Sequence, residues 1–420
     1  MFRRKNNRFI KPNYSKIKEL SYENSDDVRE IIVESRSGFN TIEMVLIMIV
    51  SIAFGVVVGS SLSFFQETKK EEKVSPDLEE LVFTYNNILD TYYEDVNSDD
   101  LLDAAVDGMV SSLGDPYSLY MDRDTTTNFQ ETVDGSYVGI GIQFGMNEQG
   151  QFVVLDVTLH SSAESSGIQK GDVVFAVDGK SVSGLSLDDL ANMIEGEVGT
   201  TVELSISRGE ESLVKKVTRQ EVDLISVSSK IYHEGQGNVG YLSLDSFAAN
   251  TYQQFKEELL DLEEESIDGL IVDVRANPGG HLNQTKKILE LFMDKGDVLY
   301  QIEAKGKKSK VKDETKDSRS YPIVILIDSS SASAAEILAS SFKDSYVDAT
   351  LVGKVTYGKG TVQKAYTLSN GSSFKYTTEK WLTPKGEWID AKGIQPDFDV
   401  DLGTTDTQFE KALEVIVNKL

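Results

Sequence analysis

An uncharged apolar stretch near the N-terminus is the feature that most restricts how this chain can fold. Residues 44–65 read MVLIMIVSIAFGVVVGSSLSFF and contain no Asp, Glu, Lys or Arg. At 1.5 Å per residue a helix of this length extends about 33 Å, which matches the apolar core of a bilayer. A core helix would have a polar face, and a signal peptide would have a shorter apolar run. The sequence therefore predicts one uncleaved transmembrane helix.

The basic residues that precede this helix predict its orientation. Residues 1–18 hold seven Lys or Arg and no acid. Because basic residues favour the cytoplasmic side, residues 1–43 are expected to form a cytoplasmic tail. The rest of the chain, starting with a polar linker at residues 66–76, is then expected on the outer side of a bacterial cell membrane. The net charge of −27 argues against nucleic acid as a partner.

The composition excludes several kinds of catalytic centre. The chain has no cysteine, which rules out disulfides, thiolate–zinc sites, iron–sulfur clusters and cysteine nucleophiles. Its three histidines are far apart in sequence and form no HExxH motif, so a histidine-ligated metal site is not expected. We therefore predict no metal and no cofactor.

The exported part divides into four segments of different character. Residues 77–127 show apolar side chains at helical spacing and predict a helical segment. Residues 128–222 consist of short β-branched runs between glycine turns and predict a small β-rich module. Residues 223–403 alternate apolar strands with helices, which indicates an α/β domain. Residues 404–420 predict an amphipathic helix. The fold class is thus multidomain α+β, and the charged residues 305–320 are interpreted as a solvated hairpin or loop.

The β-rich module carries a peptide-binding signature. It opens with Tyr137-Val138-Gly139-Ile140-Gly141-Ile142, where the glycines allow close approach of a second backbone and leave amide groups free for an anion. Residues 161–179 follow with SSAESSGIQKGDVVFAVDG. Together these motifs resemble those of bacterial PDZ domains, which bind a peptide as an added strand and hold its terminal carboxylate. The resemblance predicts a peptide site at residues 137–142.

Three short motifs in the α/β domain are candidates for chemistry. Ser333 lies in DSSSASAAEI, between a buried strand and a helix whose free N–H groups favour negative charge. Lys359 lies between two glycines in YGKGTVQ, and a buried lysine can lose its proton near neutral pH. Residues 277–280 read NPGG and form a turn whose amides could complete an oxyanion hole. Taken singly, a helix cap, a loop lysine and a strand-ending turn explain the three motifs as well.

In this order and behind a PDZ module, the motifs resemble those of the carboxyl-terminal processing peptidases, serine proteases with an internal PDZ domain. The resemblance covers about residues 78–401 and implies a ClpP/crotonase-like protease core with a Ser/Lys pair. It implies protein or peptide substrates with exposed C-termini, and it adds a homodimer formed through the apolar faces of the terminal helices. The implied site consists of Ser333 as nucleophile, Lys359 as general base, Gln363 as the residue that orients the lysine, and the N–H groups of Ala334 and of Gly279 or Gly280 as oxyanion hole.

Two features depart from the family pattern, and three alternatives stay open. The spacing of 26 residues from Ser333 to Lys359 is one longer than expected, and Glu195 stands where the family often has Arg. The second difference puts coupling between PDZ occupancy and activity in doubt. His281 next to Gly280 keeps a Ser/His mechanism open. A catalytically silent PDZ scaffold and a hydrolase of non-peptide esters are the competing functions.

Overall fold

The computed structural model describes residues 75–235 and 237–420. The predicted cytoplasmic tail, membrane helix and nearly all of the linker lie outside the described residues. Among the helices within those two ranges, none is both long and apolar enough to cross a bilayer. The chain divides into two compact units after Asp95, and the described part of the first contains helix α1 (Pro76–Thr91).

The second unit begins with a helical segment that leads into the β-rich module. Its elements are, in chain order, α2 (Ser98–Ser111), β1 (Leu119–Met121), α3 (Arg123–Asp134), β2 (Ser136–Gly139), β3 (Ile142–Met146), β4 (Phe152–Val157), α4 (Ser162–Ser165), β5 (Val173–Val177), β6 (Lys180–Ser181), α5 (Leu187–Ile194), β7 (Thr201–Arg208), β8 (Glu211–Thr218) and β9 (Gln220–Asp223). Helix α3 crosses the start predicted for the module at residue 128. It begins where the Asp122 side chain accepts from the Thr125 N–H, and it ends at Gly135, whose φ of 73° suits glycine.

The β-rich module is a sheet with its own core and an open edge. Its strands lie in the order β3-β4-β5-β7-β8, with β6 paired to β5, while β2 pairs with β9. Ile140, Leu190 and Leu204 are among the fully buried residues of its core. Strand β3 pairs only with β4, and α5 packs beside it. The other side of β3 therefore offers unpaired backbone groups of the kind to which a PDZ domain adds a peptide strand.

The α/β domain is built on a mainly parallel sheet. The remaining elements are β10 (Val227–Glu234), β11 (Gly237–Leu244), α6 (Thr251–Glu264), β12 (Gly269–Asp273), α7 (Leu282–Leu289), β13 (Val298–Ala304), β14 (Lys307–Lys312), β15 (Ile323–Ile327), α8 (Ala334–Ser345), β16 (Ala349–Gly353), β17 (Thr361–Thr367), β18 (Ser373–Leu382), β19 (Phe398–Asp399) and α9 (Thr407–Val417). The sheet order is β10-β11-β12-β15-β16-β19, and only β10 runs antiparallel to its neighbour. Every residue of β12 and β15 is buried, as expected for strands covered on both faces.

Helices on one face of this sheet separate it from a second sheet. The largest core cluster joins residues of the parallel sheet to α6, α7, α8 and to β13 and β18. The second sheet has the order β1-β18-β13-β14, with β17 as an edge strand on β18. Helix α9 packs on the opposite face of the parallel sheet, where Ala412 and Ile416 are fully buried. Ser333 and Lys359 both belong to loops between these layers.

The bounds of the observed helices and strands differ from those of the predicted segments. Residues 77–127 contain helices, residues 128–222 contain more strand than helix, and the terminal helix is α9. The charged segment at residues 305–320 includes strand β14, which forms a hairpin with β13. The sequence did not predict the second sheet, whose strands β1, β13 and β18 come from distant parts of the chain.

Candidate active site

The serine run after β15 contains a buried serine, Ser331, and a half-buried serine next to helix α8, Ser333. Ser331 is fully buried, its hydroxyl donates to the Val274 carbonyl at 2.7 Å, and it accepts from the Asp328 N–H at 2.9 Å. These bonds tie the loop to the neighbouring strand β12. Ser333 is only half-buried and is the N-cap of α8. Of the two, only the Ser333 hydroxyl is placed to react at a helix N-terminus.

The backbone at Ser333 is in a conformation that residues other than glycine rarely adopt. Its φ is 53° and its ψ is −110°. Such a conformation costs about 1–3 kcal/mol and persists only where the surroundings impose it. Here the next residue starts a buried helix and the preceding Ala332 N–H donates to the Asn277 carbonyl at 2.9 Å. The turn therefore presents the Ser333 side chain in a fixed direction.

Glu336, which is fully buried on the first turn of α8, joins the serine segment to the lysine segment. Its Oε2 accepts from the N–H groups of Ser333 at 2.8 Å and Lys359 at 2.9 Å. Its Oε1 accepts from the Thr356 hydroxyl at 2.6 Å and the Gly358 N–H at 2.7 Å. Burial raises the pKa of the Glu336 carboxyl, and the four donors oppose that rise because they favour the ionised form. The sequence analysis gave this residue no role, although S-x-x-E is a recognisable capping pattern.

Lys359 is partly buried in surroundings that favour its neutral form. Burial lowers the pKa of Lys359, the Lys375 ammonium lowers it further, and Asp115 and Glu336 act against both. The Nζ atom lies 5.0 Å from the centroid of the Tyr117 ring. A lysine with a lowered pKa can accept a proton at a pH where an exposed lysine cannot.

In the NPGG turn the Gly279 N–H is hydrogen-bonded, whereas the Gly280 N–H has no acceptor among the described residues. The Gly279 N–H donates to the Asn277 side-chain oxygen at 2.8 Å, whereas the Gly279 carbonyl accepts from Phe247. Gly280 forms a parallel bridge with Phe247, so its own N–H points away from that partner. Within the described ranges neither the Gly280 nor the Ala334 N–H has a hydrogen-bond acceptor. Those two amides are available to an oxyanion.

One cavity of about 600 Å³ collects the residues that the sequence predicted for the active site. Gly279 packs so closely on the serine turn that a Cβ there would lie 2.9 Å from the Ser333 Cβ. Helix α3 covers one side of the cavity through Phe129 and Val133. The predicted residues on its lining are Ser333, Ala334, Gly279, Gly280, Lys359 and Gln363. The residues predicted as nucleophile, base and oxyanion donors thus face the same space.

Gln363 borders the cavity without a hydrogen bond to the lysine that it was predicted to orient. Its amide donates to the hydroxyls of Thr361 at 2.9 Å and Thr377 at 3.1 Å. Thr377 in turn donates to Asp115 at 2.6 Å. Burial alone would raise the pKa of Asp115, but hydrogen bonds from Ser118 and Thr377 lower it. Gln363 is therefore linked to Lys359 only indirectly, through hydrogen bonds by way of Thr377 to the carboxylate of Asp115, whose charge acts on Lys359.

His281 borders the same cavity and anchors the helix above it. Its Nε2 lies 3.0 Å from the Val133 carbonyl, an acceptor, so this nitrogen carries the proton. The Ala249 N–H donates to the same carbonyl at 2.9 Å. These contacts give His281 a structural task at the end of α3.

The residues predicted for peptide binding lie away from this cavity. Tyr137, Val138 and Gly139 belong to β2, Ile140 is buried in the module core, and Ile142 begins β3. Gly141 has a φ of 80°, and a Cβ there would lie 2.2 Å from the Ser161 Cβ, which explains why glycine is needed. The structure thus separates the predicted peptide groove from the catalytic cavity.

Glu195 ends helix α5 close to helix α3. Burial raises the pKa of Glu131 on α3, and the charge of Glu195 raises it further. A hollow of about 300 Å³ lies beside them and is bordered by Tyr137, Val138 and Glu221. An acidic residue at position 195 therefore repels α3, whereas an arginine there would attract it.

Comparison with known proteins gives three family matches along the chain. Residues 238–400 match the model of peptidase family S41, residues 138–218 match a PDZ domain, and residues 57–125 match the N-terminal domain of the activating protease CtpB. The two larger matches coincide with the α/β domain and the β-rich module.

Individual relatives extend the similarity over most of the chain. The chain is 37% identical over 316 residues to the carboxy-terminal processing protease CtpB of Bacillus subtilis, and the match covers 74% of this chain and 65% of the relative. It is 34% identical over 382 residues to a probable CtpA-like serine protease of Staphylococcus haemolyticus, covering 89% and 75%. A solved photosystem II D1 C-terminal processing protease is 25% identical, covers 81% of this chain and 91% of that one, and gives a TM-score of 0.47.

Proposed function

The chain belongs to peptidase family S41, the carboxyl-terminal processing serine proteases, and from this premise we propose that it cleaves peptide bonds with a Ser333/Lys359 dyad. One observation carries the proposal. The cavity that holds the Ser333 hydroxyl also holds a lysine whose pKa is lowered by burial and two amides without acceptors. A histidine base is not needed in such a site.

The reaction would proceed in two halves through an acyl-enzyme. Neutral Lys359 takes the proton of the Ser333 hydroxyl while Oγ bonds to the carbonyl carbon of the scissile peptide. The N–H groups of Ala334 and Gly280 bind the resulting oxyanion. As the C–N bond breaks, Lys359 passes its proton to the leaving amine. Water then attacks the ester with Lys359 again as base, and Ser333 recovers its proton as the acid product leaves.

The PDZ module would select the substrate by its end. Edge strand β3 and helix α5 border a groove in which an extended peptide can add as a further strand. The Gly-Ile-Gly-Ile segment at residues 139–142 would hold the terminal carboxylate. The preferred substrates are then proteins with an exposed, unstructured C-terminus.

The apolar run at residues 44–65 supports a place for this reaction at the cell membrane. We propose that it anchors the chain with the N-terminus in the cytoplasm and the catalytic part outside. Substrates would then be proteins of the bacterial envelope or the extracellular space. The homodimer predicted through both terminal helices keeps support only at α1, whose Leu78, Val82 and Phe83 are exposed. Helix α9 already buries its apolar face against the parallel sheet.

The test is cleavage of casein by the purified 420-residue chain, beside Ser333→Ala, Lys359→Ala and His281→Ala. We expect wild type and His281→Ala to cut and the other two variants to be inactive. Activity that survives Lys359→Ala but is lost in His281→Ala would favour the Ser/His mechanism. Cleavage by none of the forms, even with a PDZ-binding peptide added, would favour a silent scaffold.

A further inference from the structure

A second lysine borders the catalytic cavity and has no task in the proposed reaction. Lys375 lies on β18, opposite Ala365 of β17 and Leu119 of β1. It is half-buried, and its Nζ lies 4.9 Å from the centroid of the Phe129 ring. Within the described ranges its ammonium has no hydrogen bond and no acidic partner. Burial lowers the pKa of Lys375.

The charge balance of this cavity is the reverse of that of the whole chain. The sequence contains 69 acidic and 42 basic residues. Nevertheless, the described residues that border the cavity include no Asp or Glu, while they include both Lys359 and Lys375. Burial lowers the pKa of both of these lysines. The lining of the cavity therefore carries two lysines and no carboxylate, whereas Asp115 and Glu336, which act on Lys359, lie outside that lining.

An ammonium group that is buried without a partner loses its hydration, and no hydrogen bond or opposite charge replaces it. An aromatic ring compensates part of this loss, but it does not supply a hydrogen-bond acceptor. A carboxylate that enters the cavity would provide both opposite charge and acceptor oxygens. In a peptide substrate such a group is an Asp or Glu side chain or the terminal carboxylate.

We propose that Lys375 makes the catalytic cavity selective for substrates that carry a carboxylate close to the scissile bond. This inference rests on the proposed function, and it names the substrate class of that same site. Lys375 borders the cavity together with Ser333, so a bound carboxylate would lie within a few residues of the cleaved peptide bond. This selection would act in addition to that of the PDZ groove, which lies elsewhere in the molecule.

A structural role for Lys375 makes a different prediction. If the lysine only held α3 through Phe129, its loss would affect every substrate to the same degree. If it binds a substrate carboxylate, its loss affects acidic substrates alone. Comparison of matched acidic and neutral peptides separates the two explanations.

The experiment uses peptides of one sequence with amidated C-termini, in which Asp or Asn stands at each of several positions around the cleaved bond. A second arm compares a neutral peptide with a free or an amidated C-terminus. We measure kcat/KM for the wild-type chain, Lys375→Met, Lys375→Arg and Lys375→Glu, each at a pH where its rate no longer rises. Lys380→Met is the control, because Lys380 lies on the same strand over the Trp388 ring at 4.0 Å but outside the cavity.

We expect wild type to prefer Asp over Asn at one position by about tenfold to a hundredfold, the range for a charge-assisted hydrogen bond. Lys375→Met should lose this preference, Lys375→Arg and Lys380→Met should keep it, and Lys375→Glu should prefer a Lys-containing peptide. A preference confined to the free C-terminus would identify the terminal carboxylate as the bound group. Equal cleavage of all matched peptides, or a preference that survives Lys375→Met, would overturn the inference.

Binding to the Ser333→Ala chain separates this inference from the proposed function. Tighter binding of the Asp peptide that depends on Lys375 supports the carboxylate site even where the wild-type chain cuts nothing, and the proposed reaction alone is then wrong. Cleavage of all peptides at equal rates leaves the Ser/Lys reaction intact and removes only the selectivity.

Discussion

The backbone N–H groups of Ser333 and Lys359 donate to the same atom, Oε2 of the buried Glu336, at 2.8 and 2.9 Å. The proposed nucleophile and the proposed base lie on different loops, and this shared acceptor fixes the two backbones relative to each other. Because a displacement of about 1 Å can cost a hundredfold in rate, such a link bears directly on catalysis.

Glu336→Gln should reduce activity more than its effect on stability suggests. The amide nitrogen cannot accept a hydrogen bond, so at least one pair of donors loses its acceptor in a buried place. We expect the free energy of unfolding to fall by about 1–3 kcal/mol and kcat to fall by about a hundredfold. Urea denaturation and peptide cleavage measure the two effects.

Thr356→Val is the matched control for this link. The Thr356 hydroxyl donates to Oε1 of Glu336 and accepts from the Ile394 N–H at 2.7 Å. Its loss should destabilise the chain by a similar amount but leave both bonds to Oε2 in place. A loss of kcat as large as in Glu336→Gln would contradict the role of the shared acceptor.

The pH dependence of cleavage should follow the charges around Lys359. Only the neutral amine can accept a proton, so kcat/KM should rise with pH until Lys359 is deprotonated. Since burial and Lys375 lower the pKa of Lys359, the plateau should begin at a lower pH than for an exposed lysine. Peptides without carboxylates keep substrate charge out of the comparison.

Two variants should move this profile in opposite directions. Lys375→Met removes a cation, which raises the pKa of Lys359 and moves the rise in kcat/KM to higher pH. Asp115→Asn removes an anion, which lowers that pKa and moves the rise to lower pH. If both variants move the profile the same way, or neither moves it, Lys359 is not the titrating base.

Gly279→Ala should abolish activity because of where the methyl group would lie. A Cβ at this position meets the Ala332 carbonyl oxygen at 2.8 Å and the Ala334 nitrogen at 3.0 Å, and φ is 99°. The serine turn and the oxyanion donors must then shift. Gly296→Ala is the control, because its φ is 100° but its Cβ would meet open space.

The two glycine variants share the backbone strain of about 1–3 kcal/mol and differ only in the steric contact. We therefore expect Gly296→Ala to lose stability while its kcat stays near that of wild type. Denaturation midpoints and kcat, measured for both variants, separate the effect of backbone strain from that of the steric contact. Equal activity in the two would mean that the turn tolerates a side chain beside Ser333.

The part of the site that could be predicted from sequence is the part encoded in short motifs. Ser333 and Lys359 were predicted because their motifs, in this order behind a PDZ module, resemble those of a peptidase family, whereas each motif alone is explained as well by a structural role. Glu336 was visible as a capping pattern, but nothing local showed that its carboxylate also receives amides from the lysine loop. Its second set of donors exists only because the fold brings two loops together.

The charges that act on Lys359 could not be predicted for the same reason. Asp115 precedes the β-rich module, and Lys375 lies on a strand that the sequence analysis did not recognise. Strand β18 pairs with β1, β13 and β17, and only this pairing places Lys375 beside the catalytic lysine's cavity. The choice between Gly279 and Gly280 likewise depends on the Asn277 side chain and the Phe247 bridge.

The cost of burying Lys359, the proposed base, predicts that Lys359→Met is inactive yet more stable than wild type at neutral pH. The folded state lowers the pKa of Lys359 from its ordinary 10.5, so at neutral pH folding must overcome the burial of a charge. Removing that charge should raise the free energy of unfolding by about 0.5–2 kcal/mol, as is common when an active site is relieved of strain. Because the penalty disappears once the unfolded lysine also loses its proton, the gain should shrink as pH approaches 10.5.

Lys354→Met should change the free energy of unfolding in the opposite direction. Lys354 pairs with Asp399 at 2.6 Å and Asp401 at 2.9 Å, and these contacts raise its pKa. Its contribution to stability is present at neutral pH and is lost as pH rises through that raised pKa. Lys354→Met is therefore expected to be less stable than wild type at neutral pH. Urea denaturation of both variants at neutral pH and at about pH 10 makes the comparison. If the stability gained in Lys359→Met does not change with pH, the gain comes from added apolar contact. Burial would then not lower the pKa of Lys359.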